Sequence, residues 1–302
     1  MYINHNQMSS NVANTLTRHY GNLQTSTQRL SSGMRINSAA DDAAGLAIRE
    51  LMRADIAALN QGVRNANDAI SLIQTADGAL GVIDEKLIRM KELAEQAATG
   101  TYTSDQRLMI ESEYQAMASE ITRIANATDF NGIHLLNGNL SSMNYDDRSA
   151  RQHDGSELDA KGALKVHFGP MNDKAEDYYY IEIGSCTASS LGVGNQATPG
   201  SDGYTVSTQQ AAQKALVALN QAIDSKDKIR ANLGAMQNRL ENTVTNLTVQ
   251  AENLQASESR ISDVDVATEM TNFVRNQILT QSAVAMLGQA NSMPQMAMQL
   301  IG

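Results

Sequence analysis

The sequence predicts a mainly α fold, a long helical hairpin or coiled coil with paired N- and C-terminal helices and a small β-rich central part. Three observations predict it. Proline is absent from residues 1 to 169 and again from 200 to 293, so no ring interrupts a helix there. Apolar residues recur about every 3.5 positions at both ends, which lays a stripe along one helix face. Between about 141 and 204 the pattern changes to a period of two, and that stretch holds Pro170 and Pro199.

The first stripe is Val12, Leu16, His19, Leu23, Ser26 and Leu30, thinned by its two polar members. A second runs through Met52, Ile56, Leu59, Val63, Ala66, Ile70 and Ile73, and a third through Ile110, Tyr114, Met117, Ile121 and Ile124. Near the C-terminus come Leu240, Val244, Leu247, Ala251, Leu254 and Ile261. Ser38 to Asp42 and Gly100 to Ser104 supply the breaks. In the middle, Leu164, Val166 and Phe168 alternate with polar residues, as do Tyr179, Ile181 and Ile183, which predicts strands. Residues 146 to 160 lack any apolar period and read as a surface loop.

Composition narrows the function classes. Aromatics are 4% of 302 residues, with no Trp, so bulky groups for a compact globular core are scarce. Lys and Arg number 23 against 33 Asp and Glu, a formal net charge of −10, and no basic run is present. Nucleic-acid binding through clustered positive charge is therefore not expected. Ten acids against five bases fall in 141 to 204, which marks that part as solvated and outward. A lone Cys186 excludes an internal disulfide framework. The apolar run Ile278 to Leu287 is broken by Thr280, Gln281 and Ser282, far short of the roughly 20 residues that cross a bilayer. The start, MYINHNQMSSNVANTL, has neither a basic opening nor an apolar stretch, so export without a cleaved signal peptide is expected.

Site chemistry is sparse. The histidines are His5, His19, His134, His153 and His167, and neither HExxH nor CxxC occurs. His153, His167 and Cys186 could in principle meet, but surface imidazoles and an inert thiol are the expectation. No metal and no cofactor are expected. No G-x-S-x-G elbow exists. The carboxylate pairs Asp41-Asp42 and Asp263-Asp265 read as helix starts, where oxygens satisfy free N–H groups. An enzyme is not expected.

Several runs resemble bacterial flagellins. They are "RLSSGMRINSAADDAAGLAIRELMR" (Arg29 to Arg53), "TDFNGIHLLNG" (Thr128 to Gly138) and "LGAMQNRLENTVTNL" (Leu233 to Leu247). Near the end stand "SRISDVDVATEM" (Ser259 to Met270), "QILTQSAVAMLGQAN" (Gln277 to Asn291) and "PQMAMQLI" (Pro294 to Ile301). The resemblance implies a short flagellin that polymerises into the flagellar filament for swimming motility. It implies terminal helices, 1–45 and 261–302, forming the filament inner core. A helical tube follows from 46–140 and 205–260, with 141–204 as its β-rich outer part. The core packing would fall to Val12, Leu16, Leu23, Leu30, Phe273, Ile278, Leu279, Met286 and Leu287. Implied partners are further copies of the chain, an export chaperone, and cap and junction proteins. Arg89, Leu93 and Glu113 match positions by which flagellins are bound by Toll-like receptor 5; they read equally as a solvated helix face with one seam leucine. A hook–filament junction protein shares the helical ends, and a coiled-coil signalling protein is the reading from another class.

Overall fold

A computed structural model describes residues 6–141, 162–173 and 176–301. The predicted loop at 146–160, with His153, and likewise His5 lie outside the described residues. In chain order the elements are α1 (Gln7–Ser32), α2 (Ala43–Ala98), α3 (Ser104–Ala127), β1 (Asp129–Phe130) and β2 (Ile133–His134). Then come β3 (Leu164–His167), β4 (Tyr178–Ile181), α4 (Ala188–Leu191), α5 (Gln209–Ser262) and α6 (Val266–Ile301). They divide into two compact units, one of residues 1–57 with 251–302 and one of 58–250, and α2 and α5 contribute to both.

In the 58–250 unit the α2 seam is regular. Ala66, Ala69, Ile73, Ala76, Leu80, Ile83, Leu87, Met90, Ala94 and Ala97 are all buried, at alternating steps of three and four. The answering seam of α5 is Ala212, Ala215, Leu219, Ala222, Lys226, Leu233, Leu240 and Leu247. Ion pairs fix the antiparallel register: Asp84 with Lys226 and Asp77 with Arg230. On α3 the buried residues are Ile110, Tyr114, Ala118, Ile121 and Ala125. Ala118 and Ala125 thus take the covered places that spacing assigned to Met117 and Ile124. A small side chain lets another backbone come close: a Cβ on Gly194 would overlap that of Ala118.

Helix ends are satisfied locally. Thr103 and Gln106 form a capping box on α3. Arg107 donates to the carbonyls of Ala97 and Thr99, both at 3.0 Å, closing the end of α2. After α3, β1 and β2 pair antiparallel across Asn131 and Gly132, whose φ angles of 53° and 83° suit a tight hairpin. β3 and β4 also pair antiparallel, Leu164 opposite Ile181 and His167 opposite Tyr178. Gly62 lets this hairpin approach α2, since a Cβ there would overlap the Phe168 carbonyl. Asn65 Nδ2 donates to the His167 carbonyl at 2.8 Å on the same side.

The other unit is built on α1 and α6. Their covered positions alternate by three and four as well, but the residues are smaller and more polar. On α1 only Ser26 is fully buried, while Val12, Leu16, His19, Leu23 and Leu30 are half-buried. On α6 the covered line runs through Glu269, Phe273, Asn276, Thr280, Ala283, Leu287 and Ala290. Asp42 and Asp265 accept backbone N–H groups at the starts of α2 and α6, as their spacing to those helices predicts.

Candidate assembly surface

Two antiparallel crossings hold the unit of α1 and α6 at its loop end. The Arg35 N–H donates to the Ser262 carbonyl at 2.7 Å, and the Val264 N–H to the Gly33 carbonyl at 3.0 Å. Gly33 can turn because its φ is 72°, a left-handed cap on α1. Arg35 Nη2 reaches the Ile261 carbonyl at 2.7 Å, and the buried Arg49 donates to the Ile36 carbonyl at 2.9 Å. Asp41 accepts from the Asn37 and Ser38 N–H groups, and these bonds hold its carboxyl below the usual range.

Beyond the seam, α6 keeps an open apolar line. Val266, Met270, Val274 and Ile278 step by four residues and are 44% to 57% exposed. Of the predicted packing residues, Val12, Leu16, Leu23, Leu30, Phe273 and Leu287 lie half-buried in the α1/α6 seam. Ile278, Leu279 and Met286 lie exposed, off that seam. A contiguous exposed apolar face on a helix is the kind of surface through which proteins bind partners, membranes or ligands.

In the 58–250 unit, Arg89 donates to Glu113 Oε1 at 2.8 and 3.0 Å and to Glu92 Oε2 at 3.0 Å. Both arms are exposed, whereas Leu93 is buried in the core. The structure also singles out a residue that the sequence reading passed over, Lys226. Its side chain is 2% exposed and bridges Asp84 at 2.5 Å and Asp227 at 2.7 Å. Burial pulls its pKa down, but the two carboxylates outweigh that and raise it. The signal was available: 226 falls on the seam spacing between Ala222 and Leu233, where a charge must find a partner.

An open cleft of about 340 Å³ is lined by Asn65, Asp68, Leu72, Ile133, Lys165, His167 and neighbours, with no Ser, Thr, Cys or Tyr among them. Two of its polar groups are engaged, His167 stacked on Tyr178 and Lys165 Nζ 3.7 Å from the centre of that ring. Cys186 is buried, and burial pushes its thiol up to about 11. Among the described residues no three His, Cys, Asp or Glu side chains gather as metal ligands would, and no helix is long and apolar enough to cross a membrane.

Long seamed helices, an incompletely covered terminal pair and an open apolar face define a structural subunit that works by associating. Comparison with known proteins gives the family. Residues 3–141 match the bacterial flagellin N-terminal helical region and residues 209–301 match the bacterial flagellin C-terminal helical region. The chain is 40% identical over 304 residues to flagellin FlaB2 of Treponema pallidum (strain Nichols), covering all of both chains. It is 39% identical over 305 residues to the flagellin of Bacillus subtilis (strain 168), again covering all of both. A solved structure of a putative flagellar hook-associated protein from Vibrio parahaemolyticus aligns with a TM-score of 0.54 over 74% of this chain and all of that one; at 14% identity it shows the fold alone. The chain belongs to the bacterial flagellin family. It is a structural subunit of the flagellar filament.

Proposed function

We propose that the chain builds the filament through its two ends, 1–45 and 261–302, as the inner core, with 46–140 and 205–260 as the surrounding tube and 141–204 outermost. The observation that carries this reading is the α1/α6 pair, whose seam leaves Leu16, Leu23 and Leu287 half-covered while Ile278 stands open. Fully burying a leucine contributes about 1.5–3 kcal/mol, and a half-covered one correspondingly less. Ordering each backbone residue costs roughly 1–2 kcal/mol. Such a pair gains its remaining burial from neighbouring copies, and a contact whose rotation does not close gives an open helical filament. Folding of α1 and α6 is then coupled to polymerisation.

Further parts of this reading follow from the same ends. The chain leaves the cell without a cleaved signal, escorted by an export chaperone that holds α6, and it meets cap and junction proteins at the filament ends. Its role is structural rather than enzymatic, and it takes no cofactor. For Toll-like receptor 5 the face on offer is Arg89 with Glu113, while Leu93 lies beneath it. Limited proteolysis with mass spectrometry tests the central claim. Monomer should be trimmed quickly to a core near 46–260, and filament should resist. Equal protection of the ends in both states would sink the coupling of folding to assembly.

A further inference from the structure

α6 contains a proline, Pro294, inside the helix rather than at its end. Proline has no N–H, so the carbonyl four residues earlier, that of Ala290, loses its helical donor. Ala290 is 6% exposed, which leaves little room for water as a substitute. An orphaned buried carbonyl is costly, and such groups are nearly always paired. Here the donor comes from the other end of the chain: Asn6 Nδ2 donates to the Ala290 carbonyl at 2.8 Å. Asn6 is at the same time the N-cap of α1, its Oδ1 accepting the Ser9 N–H at 3.1 Å. One amide thus closes the start of α1 with its oxygen and repairs the gap in α6 with its nitrogen.

We propose that Asn6 and Pro294 form a register clamp, which fixes α1 against α6 in a single alignment and so presents the same assembly surface on every copy. A clamp has work to do because, away from the loop end where Arg29 pairs with the buried Glu269, the seam specifies register weakly. Its fully covered apolar members on α6 are Ala283 and Ala290, and on α1 the buried residue is Ser26, all small enough to slide past one another. The loop pairing at Arg35 and Ser262 sets the alignment at one end. Asn6 lies at the opposite end of α1, on the order of 40 Å away at 1.5 Å per residue. A slip of one residue would turn the Ala290 carbonyl by about 100° around the α6 axis, out of reach of the amide. The bond therefore exists in one register only, and Pro294 is what leaves that carbonyl waiting.

The inference rests on the reading of α1 and α6 as the inner core. Its test is a double-mutant cycle on the full chain, with the critical concentration for growth from filament seeds as the readout. Asn6→Ser keeps a capping oxygen but cannot reach Ala290, and it should raise the critical concentration roughly two- to tenfold, the range of one buried hydrogen bond. Pro294→Ala restores an N–H to the helix, so in that background Asn6→Ser should change the value less than about twofold. An equal loss in both backgrounds would overturn the clamp. Asn6→Asp supplies a second arm: it caps as well as asparagine but faces the carbonyl with an acceptor, and it should assemble worse than Asn6→Ser. Assembly at the unsubstituted level by Asn6→Asp overturns the proposal too. Proteolysis of unsubstituted filaments separates the two readings. Ends protected with a flat cycle would end the clamp alone, whereas ends lost from intact filaments would end the inner-core reading.

Discussion

The two units use one rule of spacing and reach different results. Along α2 and α5 the 3.5-residue stripe carries Leu80, Ile83, Leu87 and Met90, each fully enclosed, with α3 contributing Tyr114 and Ile121 to the same core. Along α1 and α6 the same period carries Ser26, Ala283 and Ala290, and the larger apolar residues on it, Leu16, Leu23, Phe273 and Leu287, are only half-covered. Spacing aims a stripe at a partner, but side-chain volume and the number of covering elements decide whether it closes. Buried charges occur in both units, Arg49 and Glu269 in one and Lys226 in the other. The 58–250 unit can bury Lys226 because Asp84 and Asp227 meet it, while the carboxylates of Asp41 and Asp265 sit at exposed helix starts.

The sharpest break of this comparison is removal of residues 263–302. Filament formation, followed by electron microscopy, should vanish, while circular dichroism and thermal melting show the 58–250 unit still folded. Long filaments from the truncated chain would place assembly in the wrong unit. Next in size is a pair of seam truncations. Leu87→Ala should lower the stability of the monomer by about 2–5 kcal/mol, the range for an enclosed leucine. Leu16→Ala should cost the monomer under ~1 kcal/mol yet raise the critical concentration for assembly. Similar losses from both in a monomer melt would mean that the α1/α6 seam is already closed before polymerisation.

The units should also differ in their response to pH. Lys226 has a raised pKa, so the stability it contributes is full below the ordinary lysine value of 10.5 and is lost as pH rises through its folded value. Asp41 and Asp265 have lowered pKa values, the latter chiefly through the Thr268 hydroxyl. What they contribute is present above the ordinary carboxylate value of 3.8 and is lost as pH falls through their folded values. Melting of the 58–250 unit should therefore show an alkaline decline that Lys226→Met removes, and filaments should loosen at acid pH before that unit melts. The smallest expected effect is at Cys186: a thiol reagent at pH 8 should leave it unmodified in the native chain and label it once the chain is unfolded. Labelling of native protein at the unfolded rate would show that its site opens readily.

Much of this architecture was legible in the residues. Four of the five long helices follow from the 3.5-residue stripes, the break at 100–104 from its glycine and polar run, and β3 with β4 from alternation around Val166 and Ile181. The β1–β2 hairpin had a signal in Asn131-Gly132, but strands of two residues are too short to show a period. Ala118 and Ala125 escaped because alanine reads as neutral in a stripe, and only a close neighbouring backbone turns it into a core residue. Lys226 escaped because a lysine on a seam looks like a gap until its carboxylate partner, 142 positions away along the chain, is found beside it. The sequence by itself determined most of the helices, the caps at Asp42 and Asp265 and the general run of the α1, α2 and α5 stripes, since these depend on residues within a few positions of one another. Which stripes close, which stay open for another copy, and that Asn6 answers the carbonyl that Pro294 leaves free were decided by tertiary structure alone. Burial and hydrogen-bond satisfaction depend on what lies across the interface, and the chain brings those residues from hundreds of positions away.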